Sequence, residues 1–264
     1  EVEDVDDAID DVDTVFHCVC TPYFHWGDQV GHARRVITAA EEERKVVDIV
    51  FPGNVLVYGD VGPGTVREDQ AHDPGTRKGM IRVNIERQLR EANSRGECRT
   101  TVARFPDLYG PGVKSRCMRR IFPAAVRGRT VSWPGDLEAD REFVHVDDAA
   151  SAMVRLAESE TAWGRAWHVP GPGAINARRF ITMAFEEAGE EPDVRESIGV
   201  AINVTDRFTK DPREERELFY MFLRPPLLDG GAWRSAFMAP PPSRPYQDGI
   251  RETVEWWRAQ VGDG

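Results

Sequence analysis

Lys78 and Arg82 stand four residues apart in a stretch, residues 77–94, whose Ile81, Ile85 and Leu89 mark one side of a helix. That spacing puts both cations on a shared face. A guanidinium can hold a ribose or a phosphate, but it stays protonated and cannot relay a proton. An ammonium serves as an acid or base near neutrality only where burial or a neighbouring cation lowers its pKa, and Lys78 would need such a setting. The competing reading is a pair of solvated helix charges. Asn54 follows the apolar run 46–51 and the breaker Pro52-Gly53. Its amide can hydrogen-bond a carbonyl but cannot ionise. Tyr23 and His25 follow another apolar run, and both side chains exchange or share protons. A surface aromatic loop is the alternative there. His145 lies in a strand pattern, where a satisfied core histidine is expected.

These residues need a frame, and hydrophobic periodicity supplies one. Residues 1–13 read as a short amphipathic helix, 12–20 as a buried strand, 28–44 as a helix and 46–51 as a second buried strand. Strand, helix and strand with short joins make a right-handed parallel crossover. A loop rich in Gly, Pro and Asp covers 58–75, and Gly96 ends the helix after it. Strands are expected at 99–105, 130–133, 142–146 and 166–169. Helices are expected at 115–127, at 149–158 behind an Asp147-Asp148 cap, and at 176–189 behind Asn176. Beyond Pro192 the pattern is less regular, with helical segments at 214–223 and 249–261. Trp256 and Trp257 read as core or interface aromatics. In open parallel sheets ligands sit beyond the carboxyl ends of the strands, so the end of the 46–51 strand is the expected ligand edge.

Composition narrows the function classes. The chain has 264 residues, 41% of them hydrophobic, and a formal net charge of -11. Nucleic acid and anionic membrane are poor bulk partners for such a chain. The basic cluster at 116–120 is short and reads as a solvated helix face. Lysine occurs only at Lys45, Lys78, Lys114 and Lys210. The four cysteines, Cys18, Cys20, Cys98 and Cys117, lack the paired spacing of a zinc site, so no metal is expected. Cys18 and Cys20 alternate in an apolar run and read as buried free thiols on one strand face, which suits a cytoplasmic protein.

Four stretches in order resemble the extended short-chain dehydrogenase/reductases, the NAD-dependent epimerase/dehydratase group. "DVDTVFHCVC" resembles that family's fourth strand, "VFPGNVLVYG" its fifth strand and loop, "VARFPDLYGPG" its sixth strand and turn, and "REFVHVDDAASAMV" its returning strand and helix. The resemblance implies an α/β fold: a Rossmann-like doubly wound parallel sheet with a small C-terminal substrate lobe. Residues 1–174 would form the nucleotide domain, with a substrate-lobe insertion near 112–140, and residues 175–264 the lobe. No GxxGxxG turn occurs before Asp13, so the sheet is expected to be N-terminally incomplete.

The family carries a Tyr and a Lys four apart on the helix after its fifth strand, and a Ser or Thr at that strand's end. Aligned on Tyr58-Gly59 and Glu86, those positions hold Lys78, Arg82 and Asn54. The resemblance thus implies a catalytic trio kept in place but changed in kind. It further implies cofactor contacts from Cys20, Thr21, Pro22, Gln29, Gly53, Arg82 and Pro106, with substrate contacts from Tyr23, Asp107 and Arg141. The implied cofactor is NAD or NADP, the partner a small-molecule substrate, and the assembly a homodimer through helices 28–44 and 77–94. The expected activity is an NAD(P)-dependent epimerase, dehydratase or reductase reaction on a carbonyl or hydroxyl substrate, a sugar nucleotide among the choices. The rival readings are a non-catalytic NAD(P)-binding sensor and a scaffold without ligand.

Overall fold

The computed structural model describes residues 3–22, 25–113, 115–197 and 217–262. A four-stranded parallel sheet forms its centre. In spatial order the strands are Thr14–Phe16, Val47–Asn54, Cys98–Phe105 and Ala166–His168. Both faces are covered, which is why the two long strands are buried at nearly every position. Helices Asp28–Glu42 and Arg77–Arg95 bury Val36, Ile37, Ile85 and Leu89 against Val47, Ile49 and Phe51 on one face. Helix Val146–Ala157 and the short helix Gly231–Phe237 bury Ala152, Leu156 and Trp233 against Val50, Ala103 and Trp167 on the other. The doubly wound parallel sheet expected from sequence is therefore present.

A third cluster lies apart from the sheet. Helices Arg116–Val126, Ala177–Ala188 and Tyr246–Gly262 bury Phe122, Phe180, Phe185 and Val254 around Tyr109 and Phe143. No helix of the described residues is long and apolar enough to cross a membrane.

Three boundaries differ from expectation for local reasons. Pro52 does not end its strand, because the register runs on through Pro52↔Ala103 to Asn54↔Phe105. Asp48 N donates to Asp13 O, and Val50 O accepts from His17 N, so even-numbered residues turn toward the first strand. Pro52 faces that same side beyond the last rung there, where its missing N–H breaks no pairing. The first strand spans only Thr14–Phe16, since Cys18 N bonds back to Phe16 O at 2.9 Å in a tight turn. Cys18 and Cys20 are consequently exposed rather than buried. Helix Val146–Ala157 starts from His145, whose Nδ1 accepts from Asp147 N at 3.3 Å. Asp147 and Asp148 occupy its first turn instead of the cap. The loop after Tyr58 also contains a short strand, Thr65–Val66, which pairs in parallel with Leu227–Leu228.

Candidate functional site

A cleft of about 510 Å³ opens beyond the carboxyl ends of the two long strands. The chain builds it by stopping two strands differently. After Asn54 the backbone coils into the 3₁₀ turn Val55–Tyr58, and Asn54 Oδ1 caps that turn by accepting from Leu56 N at 3.1 Å. The Asn54 acceptor is thus spent locally, and its Nδ2 remains as the donor at the cleft wall. After Phe105 the chain passes Pro106 into the short strand Asp107–Tyr109, which pairs with Phe143–His145. Phe51, Gly53, Asn54, Phe105, Pro106 and Asp107 therefore stand side by side along one wall.

Two buried guanidinium groups mark different parts of this cleft. Arg82 lies on helix Arg77–Arg95, with its guanidinium 4.6 Å from the Trp26 ring and 5.6 Å from the Phe51 ring. Arg141 rests 4.7 Å from the Trp133 ring and donates through Nη2 to Met221 O at 3.4 Å and Phe222 O at 3.3 Å. Both Nη2 contacts are long, and the buried Arg141 Nε has no hydrogen-bond partner among the described residues. Asp107 Oδ2 lies 3.9 Å from Arg141 Nη1. Desolvation raises the Asp107 carboxyl above the usual carboxylate range, while Arg141 and the 46% exposure of the Asp107 side chain limit that shift. Burial pushes the Cys117 thiol up to about 12, so the cleft presents it as a neutral group. His17, stacked on Phe51 behind the wall, is lowered to about 4 by burial, by His32 and by Arg82.

The sequence-derived residues distribute unevenly around this cleft. Asn54, Arg82, Cys20, Gly53, Pro106, Asp107 and Arg141 all line it. Thr21, Pro22 and Gln29 are not among its lining residues. Gln29 Nε2 instead donates to Thr21 Oγ1 at 3.1 Å, and Thr21 Oγ1 donates to His25 O at 3.0 Å, which fastens the loop to the following helix. His25 pairs with Asp28 at 3.3 Å and also lies off the cleft. Tyr23 falls outside the described residues.

Lys78 is buried but does not line the cleft. Its Nζ donates to Glu217 Oε1 at 2.6 Å, and Glu217 Oε2 accepts from Arg77 N at 2.8 Å. Helical spacing does keep Lys78 and Arg82 on neighbouring turns, yet they serve different surroundings. Sequence reasoning missed Trp26, Arg116, Cys117 and the 218–222 segment as cleft residues. Trp26 had a weak signal, lying next to His25 in the loop after the first strand. Glu217 had none, because its partner is 139 residues away. His145, Asp147 and Glu252 come within 4.8 Å of one another, but Arg244 already sits among them, with Nη1 2.7 Å from Glu252 Oε2. A guanidinium therefore fills the position a cation would take.

Comparison with known proteins agrees with this architecture. UDP-glucuronic acid 4-epimerase from Bacillus cereus, solved in complex with NAD, superposes with a TM-score of 0.78 at 15% identity, covering 100% of this chain and 79% of that one. dTDP-glucose 4,6-dehydratase from Bacillus anthracis, also solved with NAD, gives a TM-score of 0.80 at 15% identity over 99% and 78%. MoeE5, solved with UDP-glucose and NAD, gives 0.77 at 22% identity over 99% and 85%. At these identities the likeness establishes a shared fold. No curated protein matches the chain by sequence. The family model described as "NAD dependent epimerase/dehydratase family" matches residues 2–170. With well over half its length matched in this way, the chain belongs to the NAD-dependent epimerase/dehydratase family, a family of enzymes of the extended short-chain dehydrogenase/reductase type.

Proposed function

We propose that the cleft binds a nicotinamide nucleotide beside Arg82 and a sugar nucleotide beside Arg141, and that the protein acts on the sugar's hydroxyl or carbonyl. The observation that carries this reading is one continuous cleft with a buried guanidinium in each part and a flat apolar wall of Phe51, Pro52 and Pro106. Flat apolar surface suits a nicotinamide ring, and buried guanidinium groups suit phosphate or ribose oxygens. The residues present fit the nicotinamide half of the cofactor. When bound, that group supplies hydride transfer.

The chain's own residues would divide the remaining work. Asn54 Nδ2 would donate to the substrate oxygen, since its Oδ1 is held by Leu56 N. Arg82, held over Trp26, would fix the ribose. Lys78 stands where the resemblance places the family's Tyr, but its Nζ is turned to Glu217 and away from the lining. Among the described cleft residues Asp107 is the one carboxyl; it stands half-exposed at the wall, 3.9 Å from Arg141 Nη1, with its pKa raised by desolvation. We assign it the proton exchange. The three structural neighbours named above are solved with NAD, and one of the three also with UDP-glucose, which supports this choice of ligands. A homodimer through helices Asp28–Glu42 and Arg77–Arg95 and a cytoplasmic location complete the proposal.

The experiment is a panel of UDP-glucose, UDP-glucuronic acid and dTDP-glucose with NAD or NADP, read by chromatography and by reduced-cofactor absorbance. The reading expects conversion of at least one sugar nucleotide, reduced at least tenfold in Asp107→Asn. Absence of conversion together with absence of nucleotide binding would overturn it. Saturable NAD binding without conversion would instead favour the second reading, a nucleotide-binding sensor. The diversion of Lys78 to Glu217 is the observation in its favour.

A further inference from the structure

Residues 217–228 cross the cleft as a strap. At one end, Glu217 reaches the start of helix Arg77–Arg95, accepting from Arg77 N and from Lys78 Nζ. At the other, Arg224 Nη2 donates to Asp60 Oδ2 at 2.5 Å, and Leu227–Leu228 pairs with Thr65–Val66. Between these anchors Leu218, Met221 and Phe222 form cleft wall. Phe222 also rests directly on Gly135, where an added Cβ would meet Phe222 O at 2.4 Å.

The hydrogen bonds of the strap are of unequal strength. Its middle is held by packing of Phe222 on Trp133 and Gly135, and its hydrogen bonds to Arg141 are long, at 3.3 and 3.4 Å. The Glu217 end is a charge-assisted pair at 2.6 Å, with side-chain exposures of 2% for Lys78 and 18% for Glu217. Charge-assisted bonds are the stronger class, and solvent screens this pair little. The Glu217 carboxylate also faces a helix N-terminus, which favours negative charge. A phosphate that takes Arg141 Nη2 displaces the carbonyls of Met221 and Phe222. The strap middle then has to move while its end stays fixed.

We propose that Lys78 is a positioning residue: with Glu217 it forms a buried latch that holds the 217–222 strap over the cleft and sets the rate at which ligand enters and leaves. This deepens the ligand-binding reading above and rests on it for the ligand alone. The latch assigns to the position of the family's Tyr a role in access.

The test is a double-mutant cycle of Lys78→Met and Glu217→Gln, with Lys78→Arg as the conservative variant. Hydrogen exchange of the ligand-free protein reads the latch directly, with amides of Val47–Asn54 as the control for intact folding. Each single variant is expected to speed exchange of the 218–223 amides at least tenfold. The double variant should be no faster than the worse single one, because both remove one interaction. Lys78→Arg should stay within twofold of the parent. Stopped-flow release of UDP-glucose, followed by tryptophan fluorescence, should accelerate in the same variants and in the same order. Exchange within twofold of the parent in both single variants, or additive effects in the double, would overturn the latch. Failure of the parent to bind UDP-glucose would count against the ligand reading alone, because the exchange measurement needs no ligand.

Discussion

Asn54 shows how one side chain joins folding to chemistry. Its Oδ1 caps the turn that follows the strand, so the geometry of the cleft wall depends on it. Asn54→Ala should lower stability by about 1 kcal/mol in urea denaturation, whereas Asn54→Ser should retain most of the cap. Glu142 makes a pH-dependent contribution of the opposite kind. It is buried, accepts from Leu228 N at 2.9 Å, and is pushed up to about 7 mainly by desolvation. Because the folded state holds this proton more tightly than the unfolded chain, its contribution is full below about pH 4.5 and is lost as pH rises through about 7. Glu142→Gln keeps an acceptor for Leu228 N. Its stability relative to the parent should therefore rise across that window by up to about 3 kcal/mol and then level off. Chemical denaturation at pH 4.5, 6 and 8 measures this; a pH-independent difference would contradict it. At this scale local signals were legible. Asn176 starts its helix and Gly96 ends its own where the sequence places them. Cys18 and Cys20 were misread because their burial depends on a pairing that stops at Phe16, which alternation within the chain does not encode.

Among the elements, helix Arg77–Arg95 carries the most consequence. It packs against the 3₁₀ turn so closely that a Cβ at Gly79 would lie 2.6 Å from both Leu56 O and Pro74 Cβ. Gly79→Ala should therefore cost about 1–3 kcal/mol through displacement of the turn, despite the better helix propensity of Ala. A shift in the thermal midpoint reads the loss. The same helix places Glu86 against Arg104 of the central strand, with Nη2 to Oε2 at 2.6 Å and both groups nearly inaccessible. Arg104 also donates to the Tyr58 hydroxyl, which shares a hydrogen bond with His168. Glu86→Ala would leave a buried guanidinium uncompensated and should cost about 3–5 kcal/mol. The helix and its apolar stripe were legible from Ile85 and Leu89. The pairings that cross from helix to strand were not, because they join residues through the fold rather than through a repeat.

For the whole molecule, the order of strands along the chain and the strand end at which the cleft opens followed from the apolar runs and from the order of four family-like stretches. The strap did not, since Glu217, Met221 and Phe222 meet Lys78 and Arg141 only after the chain has returned across the sheet. That return turns an open strand edge into a cleft with two cationic parts. The central claim is that this cleft receives a nicotinamide nucleotide at Arg82. Titration with NADH, followed by energy transfer from the cleft's Trp26 to the bound nicotinamide, tests it most directly. The account predicts saturable transfer that is lost in Trp26→Phe, and an affinity weakened at least tenfold in Arg82→Ala. Titration with no saturation to millimolar NADH or NADPH, or an affinity unchanged in Arg82→Ala, would contradict it.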